Sequence, residues 1–438
     1  MRNNKTLKLW VGLNICTSIL LCSCSNTIKD NNNESQKISW TDSLIKAYEI
    51  LNQNPSVEAA DKLFQATERM PKQNWENYLV CATIYGPKGE NDKAFNSIEK
   101  AIETGLKDSE LLNTLPEFSS LKSDPRWDVL ITKTIKLEES YLKSIQNPEL
   151  LKALENLWKL DQQTLSEYDQ NIELLDSTAT DEDYSRLFTP VENRWEINRQ
   201  KLDSIINIHG WPGYKLVGEK GAKISWAIPQ HYPDVFFKEQ CLSLIKKAIE
   251  KGDTDPNHYA ELHDRIARAT WQKQTFGASM GKDSPYPIED PANVNDRRLA
   301  LGLLEPIEVY AYYHGITYQQ PSIEEAELQM KTARDSAQKS YKKFEELVTR
   351  KESDSANMYI RKAIKFYGDL SNEQLYNASI KLAQTNNKKS KKISLKIIKV
   401  LIWRKWEGHQ GFLVNKEFVS LHTDPEWITV KELLQKSN

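Results

Sequence analysis

An eleven-residue segment that occurs twice constrains the fold of this chain more than any other feature. Residues 117–127 read Glu-Phe-Ser-Ser-Leu-Lys-Ser-Asp-Pro-Arg-Trp, and residues 417–427 read Glu-Phe-Val-Ser-Leu-His-Thr-Asp-Pro-Glu-Trp, at an offset of 300 residues. Seven of the eleven positions are identical, so a repeat explains the likeness better than coincidence. In each copy Phe and Leu share one helical face, Asp is a helix cap, and Pro suits the first turn that follows. Each copy is therefore predicted to close a helix-turn-helix element.

The residues upstream of the first copy predict two antiparallel helices. Residues 75–105 are divided at a Gly-Pro-Lys-Gly turn, and small or aromatic residues occupy the packing positions. Those residues are Tyr78, Tyr85, Ala94, Ile98 and Ala101. The pattern resembles a tetratricopeptide repeat, although Ala82 stands where that family usually has Gly and Leu106 where it usually has Pro. Because one repeat cannot bury its own apolar face, we expect a preceding helix pair within residues 41–70 to stack on it.

The same offset predicts the corresponding helices near the C-terminus at residues 372–385 and 391–405. The second of these contains a basic run: Lys388, Lys389, Lys391, Lys392, Lys396, Lys399, Arg404 and Lys405 interleave with Ile393, Ile397, Ile398, Leu401, Ile402 and Trp403. Such a helix binds anionic lipid, or it is a repeat helix with a solvated basic face. The offset favours the repeat helix, because it already supplies a packing partner.

The segment between the flanks carries a different set of marks. They are Gly210-Trp211-Pro212, Val217-Gly218, Trp226, Gln230-His231, Asp264-Arg265, Gln274, Gly277, Pro287-Ile288-Glu289-Asp290, Val294, Arg297-Arg298 and Gly302-Leu303. In this order they resemble a widespread, uncharacterised bacterial domain of unknown function. The resemblance implies no activity. Phe276 and Ala278 stand where that domain usually has Tyr and Thr, so two hydroxyls are lost.

Two interpretations of the central polar residues stay open. In an enzyme, Gln230, His231, Asp264, Arg265, Gln274, Arg297 and Arg298 surround one pocket. His231 is then the general base, Asp264 orients it, and the arginines hold an anionic substrate. Alternatively, the same groups satisfy one another's hydrogen bonds and fix helix packing. The second interpretation is favoured, so no catalytic residue is assigned.

The N-terminus predicts export and lipidation. Arg2, Lys5 and Lys8 precede an apolar run over residues 9–21, which is too short to span a membrane and fits a cleaved signal. The sequence Leu-Cys-Ser-Cys at 21–24 resembles a lipobox with Cys24 as the acceptor, because the small Ser23 precedes it. Acyl chains on Cys24 would hold the protein at a membrane. Ser25 resembles the sorting pattern of outer-membrane lipoproteins, so we expect the periplasmic face of the outer membrane.

Composition excludes several other classes of function. A formal charge of −2 argues against a nucleic-acid binder. His258 and His263 are five residues apart, about 140° around a helix, so they do not form the usual metal-binding pair. The sequence has no phosphate loop, dinucleotide fingerprint or nucleophile elbow, and we predict no cofactor and no metal. Whether Cys81 and Cys241 pair is left open.

Together these features predict a mainly α protein with tetratricopeptide-like modules at both ends of a mostly helical central domain. The predicted segments are a signal peptide at 1–23, a flexible tether at 24–38, an N-terminal repeat module at 39–146, the central domain at 147–318 and a C-terminal module at 319–438. We expect an envelope lipoprotein that acts as an interaction scaffold for an envelope protein or peptide. The alternative is an envelope hydrolase or transferase that uses a His231/Asp264/Arg265 site.

Overall fold

The computed structural model describes residues 34–175 and 178–437 and confirms a mainly helical chain. The predicted signal peptide at 1–23 and the predicted lipidation site Cys24 lie outside these residues. The helices are α1 (Glu34–Gln53), α2 (Val57–Glu68), α3 (Trp75–Tyr85), α4 (Asn91–Thr104), α5 (Ser109–Thr114), α6 (Pro125–Ser144), α7 (Pro148–Glu173), α8 (Asp181–His209), α9 (Tyr214–His231), α10 (Val235–Glu250), α11 (Pro256–Ala269), α12 (Val294–Leu301), α13 (Ile307–Tyr313), α14 (Ile323–Thr349), α15 (Ser353–Ile364), α16 (Asn372–Ala383), α17 (Lys388–Trp403) and α18 (Glu426–Lys436). None of these helices is both long and apolar enough to cross a bilayer.

The chain divides into two compact units. The first comprises the described residues up to 232 together with 244–258 and 298–318, and the second comprises residues 233–243, 259–297 and 319–437. Each unit is therefore assembled from separate stretches of sequence. The contiguous boundaries at 146/147 and 318/319 stay a prediction.

The N-terminal helices of the first unit pack in sequence order. Helix α2 packs on α1 and on α3, and α3 packs on α4. Ala82, Ala94 and Ala101 are fully buried, which permits close approach of helix backbones. Helices α1 and α2 supply the pair expected within 41–70. Helix α1 begins at Glu34, so residues 34–38, assigned to the tether, are helical instead.

A second core of the first unit is formed by α7, α8 and α9, around Ile145, Leu154 and Val217. Helix α9 is kinked at Gly218, whose φ of 70° is left-handed. A Cβ at this position would lie 2.7 Å from the Ile145 side chain. The helix continues beyond this kink to His231.

The second unit contains the C-terminal helix pairs. Helix α14 packs on α15, and α17 packs on both α16 and α18. Helices α16 and α17 confirm the pair predicted from the 300-residue offset to within a few residues. The apolar side of the basic run is buried in this core, and Lys399 pairs with Glu426 at 2.7 Å. Helix α17 is therefore a packed helix with a basic outer face.

The two copies of the repeated segment have the same local structure. Phe118 and Phe418 are fully buried. Asp124 accepts a hydrogen bond from the backbone N–H two residues later at 3.0 Å, and Asp424 does the same at 3.0 Å. The predicted N-cap is confirmed at Asp124, whereas in the second copy α18 begins one residue later, after Pro425, and Asp424 makes the same hydrogen bond from one position before the N-cap.

The two cysteines left open by the sequence are both buried, and neither forms a disulfide within the described residues. Cys81 lies in α3 and Cys241 in α10. Burial raises the pKa of the Cys81 thiol.

Candidate functional site

His231, the last residue of α9, is held by a carboxylate that the sequence analysis did not identify. Its Nδ1 lies 3.1 Å from Oδ2 of Asp161 on α7. Asp161 is buried, and its Oδ1 accepts a hydrogen bond from Asn198 on α8 at 2.9 Å. The enzyme interpretation of the sequence gave this role to Asp264, whereas in the structure the carboxylate beside His231 is that of Asp161. Asp161 reaches His231 only because α7, α8 and α9 pack together, which no local pattern encodes.

Two tryptophans flank the same imidazole. The Trp158 ring is stacked on it with centroids 6.2 Å apart, and the Trp195 ring is tilted against it at 5.9 Å. The His231 side chain is 28% exposed, and within the described part of the chain its Nε2 makes no hydrogen bond. One ring nitrogen is thus anchored by Asp161, while the other is open to a hydrogen bond with a further group.

Asp264 is a structural clamp in the second unit. It is fully buried, and its carboxylate accepts backbone N–H groups from Thr275 at 2.8 Å, Phe276 at 3.0 Å and Ala278 at 2.9 Å. These hydrogen bonds come from backbone amides, so they do not depend on the side chains of Phe276 and Ala278, which stand where the resembling domain usually has Tyr and Thr. The Nδ1 of the neighbouring His263 lies 3.2 Å from Oδ1 of the same carboxylate.

Gln274 and Arg297 hold the same loop. The Gln274 side chain donates to the carbonyls of Ser279 at 3.1 Å and Tyr286 at 2.6 Å, and accepts from the Ser279 N–H at 2.8 Å. Arg297 donates to the carbonyl of Thr275 at 2.9 Å. All of these partners are backbone groups of the loop, so both residues support its conformation.

The remaining arginines have separate surroundings. Burial lowers the pKa of Lys238 to about 7, and the positive charge of Arg265 is the second cause of this shift. Arg298 is buried, donates to the Glu305 carbonyl at 2.8 Å, and lies 5.0 Å from the Tyr310 ring. Arg298 therefore stabilises the packing of residues 305–310.

Helix α9 carries a row of polar residues that the sequence analysis named only in part. Glu219, Lys223, Trp226 and Gln230 are spaced by four, three and four positions, which places them on one face. We call this row the α9 polar stripe. The Trp226 ring stacks on His258 with centroids 4.9 Å apart and planes 12° apart. Burial and Lys223 lower the pKa of His258 to about 3, so this imidazole is neutral at physiological pH.

Four acidic side chains, which we call the four-carboxylate cluster, interact electrostatically in the first unit. They are Glu76 of α3, Glu219 of α9, Asp255 before α11 and Glu305 before α13. Burial raises the pKa of all four, and that of Glu305 reaches about 7. Glu219 pairs with Lys107 at 3.5 Å.

Several buried polar atoms in this region have no hydrogen-bond partner among the described residues. They are both carboxylate oxygens of Glu76, the indole nitrogen of Trp226, and the oxygen and nitrogen of the Gln230 amide. A buried polar group without a partner costs about 1 to 3 kcal/mol. Sequence reasoning missed Glu76; the available signal was a lone charged residue within an otherwise mostly apolar helix.

Comparison with known proteins gives a single result. No curated protein matches the chain. No solved structure matches it either. Residues 159–319, which contain the α9 polar stripe, His231 and Asp264, match the model of DUF6624, a family of unknown function.

Proposed function

We propose that this protein is a lipid-anchored envelope lipoprotein whose tetratricopeptide-like modules bind an envelope protein or peptide. The observation that carries the proposal is the repeated closure, which follows helix pair α3/α4 in one unit and pair α16/α17 in the other. Stacked helix pairs bury one face and leave extended surfaces for partners. Two such modules in one chain favour a binding role.

A cleft on the N-terminal module supports this role. It has a volume of about 190 Å³ and is lined by Asp61, Phe64, Gln65, Tyr85, Lys93, Asn96 and Ser97. Asp61 pairs with Lys93 at 2.8 Å and accepts from the Tyr85 hydroxyl at 2.7 Å. The Ser97 hydroxyl is buried and has no partner among the residues that the structure describes. The cleft suits one side chain of an extended peptide.

Photocrosslinking in intact cells tests the scaffold. A photoreactive residue at exposed Asn96 is expected to give a discrete crosslinked product, identified by mass spectrometry. The same residue at Glu103, exposed on α4 but outside the cleft, is the matched control. Identical product patterns at both positions would argue against the cleft as the binding surface.

The lipid anchor is tested by metabolic labelling with a fatty acid. Wild type and Cys22→Ser are expected to incorporate the label and remain with membranes, whereas Cys24→Ser loses both properties. A lipid-free mature protein from the native host, or one that keeps residues 1–23, would contradict the proposed location.

A second candidate function is acid-base catalysis, as in a hydrolase or transferase. Two features of His231 favour this function. Its Nδ1 lies 3.1 Å from the buried Asp161 carboxylate, and its Nε2 makes no hydrogen bond within the described residues, which is the arrangement of an oriented general base. His231→Ala is expected to keep the melting temperature and lose the cellular phenotype of the protein. The control is His209→Ala, at an exposed position of α8. A large fall in melting temperature for His231→Ala alone would assign His231 to packing.

A further inference from the structure

We propose that the cleft on the N-terminal module selects a tyrosine side chain of the bound partner, and that Ser97 forms a hydrogen bond with the tyrosine hydroxyl. The proposal rests on the binding role proposed above for this module, and it adds the chemical identity of the side chain that enters the cleft. Every residue that lines the cleft belongs to α2, α3 or α4. The site therefore lies within consecutive helices of the first unit.

The size and the aromatic wall of the cleft suit a second aromatic ring. Its volume is about 190 Å³, whereas an apolar cavity of about 150 Å³ already holds benzene. Phe64 forms part of the wall, and its ring meets Tyr78 edge to face with centroids 5.1 Å apart. Aromatic rings favour edge-to-face and offset contacts with one another, so the Phe64 ring offers the same kind of contact to a ligand ring. A side chain with one six-membered ring therefore fits the cleft.

The charged residues of the cleft are paired with each other, which favours a neutral ligand. Oδ1 of Asp61 accepts hydrogen bonds from the Tyr85 hydroxyl at 2.7 Å and from the Lys93 ammonium at 2.8 Å. Oδ2 of Asp61 accepts from the same ammonium at 2.9 Å. Opposite charges in contact attract a further ion much less than either charge would alone. An acidic or basic side chain therefore gains little from this cleft.

Ser97 provides a hydrogen-bonding group that a ligand can satisfy. It lines the cleft and is fully buried, and its hydroxyl has no partner among the residues that the structure describes. A buried hydroxyl without a partner is unfavourable, and a hydroxyl can both donate and accept. The phenol of tyrosine matches it in both respects. Phenylalanine would leave the Ser97 hydroxyl unsatisfied, and serine or threonine would leave the aromatic wall uncovered.

Ligand-observed NMR titration of the full-length protein in detergent measures this preference. The probes are capped pentapeptides with two glycines on each side of a central residue, which is tyrosine, phenylalanine or threonine. The tyrosine peptide is expected to bind about tenfold more tightly than the phenylalanine peptide, because it adds one hydrogen bond to a buried group. The threonine peptide should bind more weakly than the tyrosine peptide. Equal affinity for the tyrosine and phenylalanine peptides, or no binding of the tyrosine peptide, would overturn the proposal.

The variant Ser97→Ala tests whether this hydroxyl causes the preference. The change removes a polar group that has no partner among the described residues, so the melting temperature should not fall. Affinity for the tyrosine peptide is expected to fall to that of the phenylalanine peptide, whose own affinity is unchanged. The matched control, Ser123→Ala, lies at an exposed position outside the cleft and should keep the preference. A preference for tyrosine that persists in Ser97→Ala would overturn the assignment to Ser97.

The crosslinking experiment at Asn96 distinguishes this proposal from the scaffold function on which it rests. A discrete product whose crosslinked segment contains tyrosine supports both. A discrete product whose segment lacks tyrosine supports the scaffold function and overturns the selection of tyrosine. Identical product patterns at Asn96 and Glu103 would contradict binding at the cleft, and the selection of tyrosine would fail with it.

Discussion

Two buried carboxylates, Asp264 in the second unit and Glu76 in the first, have opposite surroundings. Asp264 is fully buried and accepts N–H groups from three closely spaced loop residues, whereas among the described residues Glu76 is 4% exposed and has no partner for its carboxylate oxygens. A buried charge that is completely hydrogen-bonded serves the fold, because its removal leaves other groups unsatisfied. A buried carboxyl group whose oxygens have no hydrogen-bond partner contributes little to the fold. Burial of a carboxylate therefore does not reveal its role; its hydrogen-bond partners do.

The largest expected effect is at Asp264. Asp264→Ala removes the carboxylate that accepts the backbone N–H groups of Thr275, Phe276 and Ala278, so we expect the free energy of unfolding to fall by about 3 to 5 kcal/mol. Urea unfolding followed by circular dichroism measures this change. Asp264→Asn keeps one acceptor oxygen and should lie between the alanine variant and wild type. A loss below about 1 kcal/mol for alanine would remove the distinction between the two carboxylates.

The pH dependence of the free energy of unfolding should report the raised pKa values of the carboxylates in the first unit. Burial raises the pKa of Glu305 from 4.5 to about 7, and that of Glu76 is raised as well. A raised folded pKa means that the protonated form is favoured by folding. The stability that Glu305 contributes is therefore fully present below about pH 4.5 and is lost as pH rises through about 7.

Melting temperatures between pH 5 and 8 measure this effect. Wild type should lose more stability over that interval than Glu305→Gln, which cannot titrate at this position. The difference is expected to be on the order of 2 kcal/mol at pH 8. Parallel pH profiles would show that Glu305 is not protonated in the folded state at neutral pH.

At Glu76 we expect a smaller change in the free energy of unfolding, and of opposite sign to the change at Asp264. Glu76→Met replaces an unpartnered carboxyl by an apolar side chain of similar length, which should stabilise the protein by about 1 kcal/mol at pH 8. Urea unfolding under the conditions used for Asp264→Ala allows direct comparison. Destabilisation by more than about 2 kcal/mol would mean that Glu76 has structural partners and that the contrast is false.

The sequence predicted the parts of this molecule that depend on local periodicity and on repetition. The helix class, the pair α16/α17 and the two Asp-capped closures follow from spacing, capping residues and the 300-residue offset. The partner of His231 did not follow, because Asp161 lies on another helix, 70 positions earlier. Asp264, Gln274 and Arg297 were grouped by residue type, although most of their hydrogen bonds are made with backbone groups, which a side-chain pattern does not show.

The roles of buried charges were the least predictable. Nothing in the sequence distinguishes Glu76, which has no partner among the described residues, from Glu219, which has Lys107 at 3.5 Å. The partners of such a group depend on which helices pack together, so they follow from tertiary structure alone.

The smallest expected effect concerns a third kind of carboxylate, the helix cap of the repeated closure. Asp424 satisfies one N–H at the start of α18, at 3.0 Å. Asp424→Ala removes that bond and should destabilise this helix end by about 1 kcal/mol. Asp124→Ala is the matched change at α6 and should act in the same direction. Hydrogen exchange is expected to increase in the first turn of α18 for Asp424→Ala and in the first turn of α6 for Asp124→Ala. Unchanged protection in both would mean that Pro and the buried Phe close the helix pair without the cap. Hydrogen-bond partners would then fail as a guide to the role of a half-buried carboxylate.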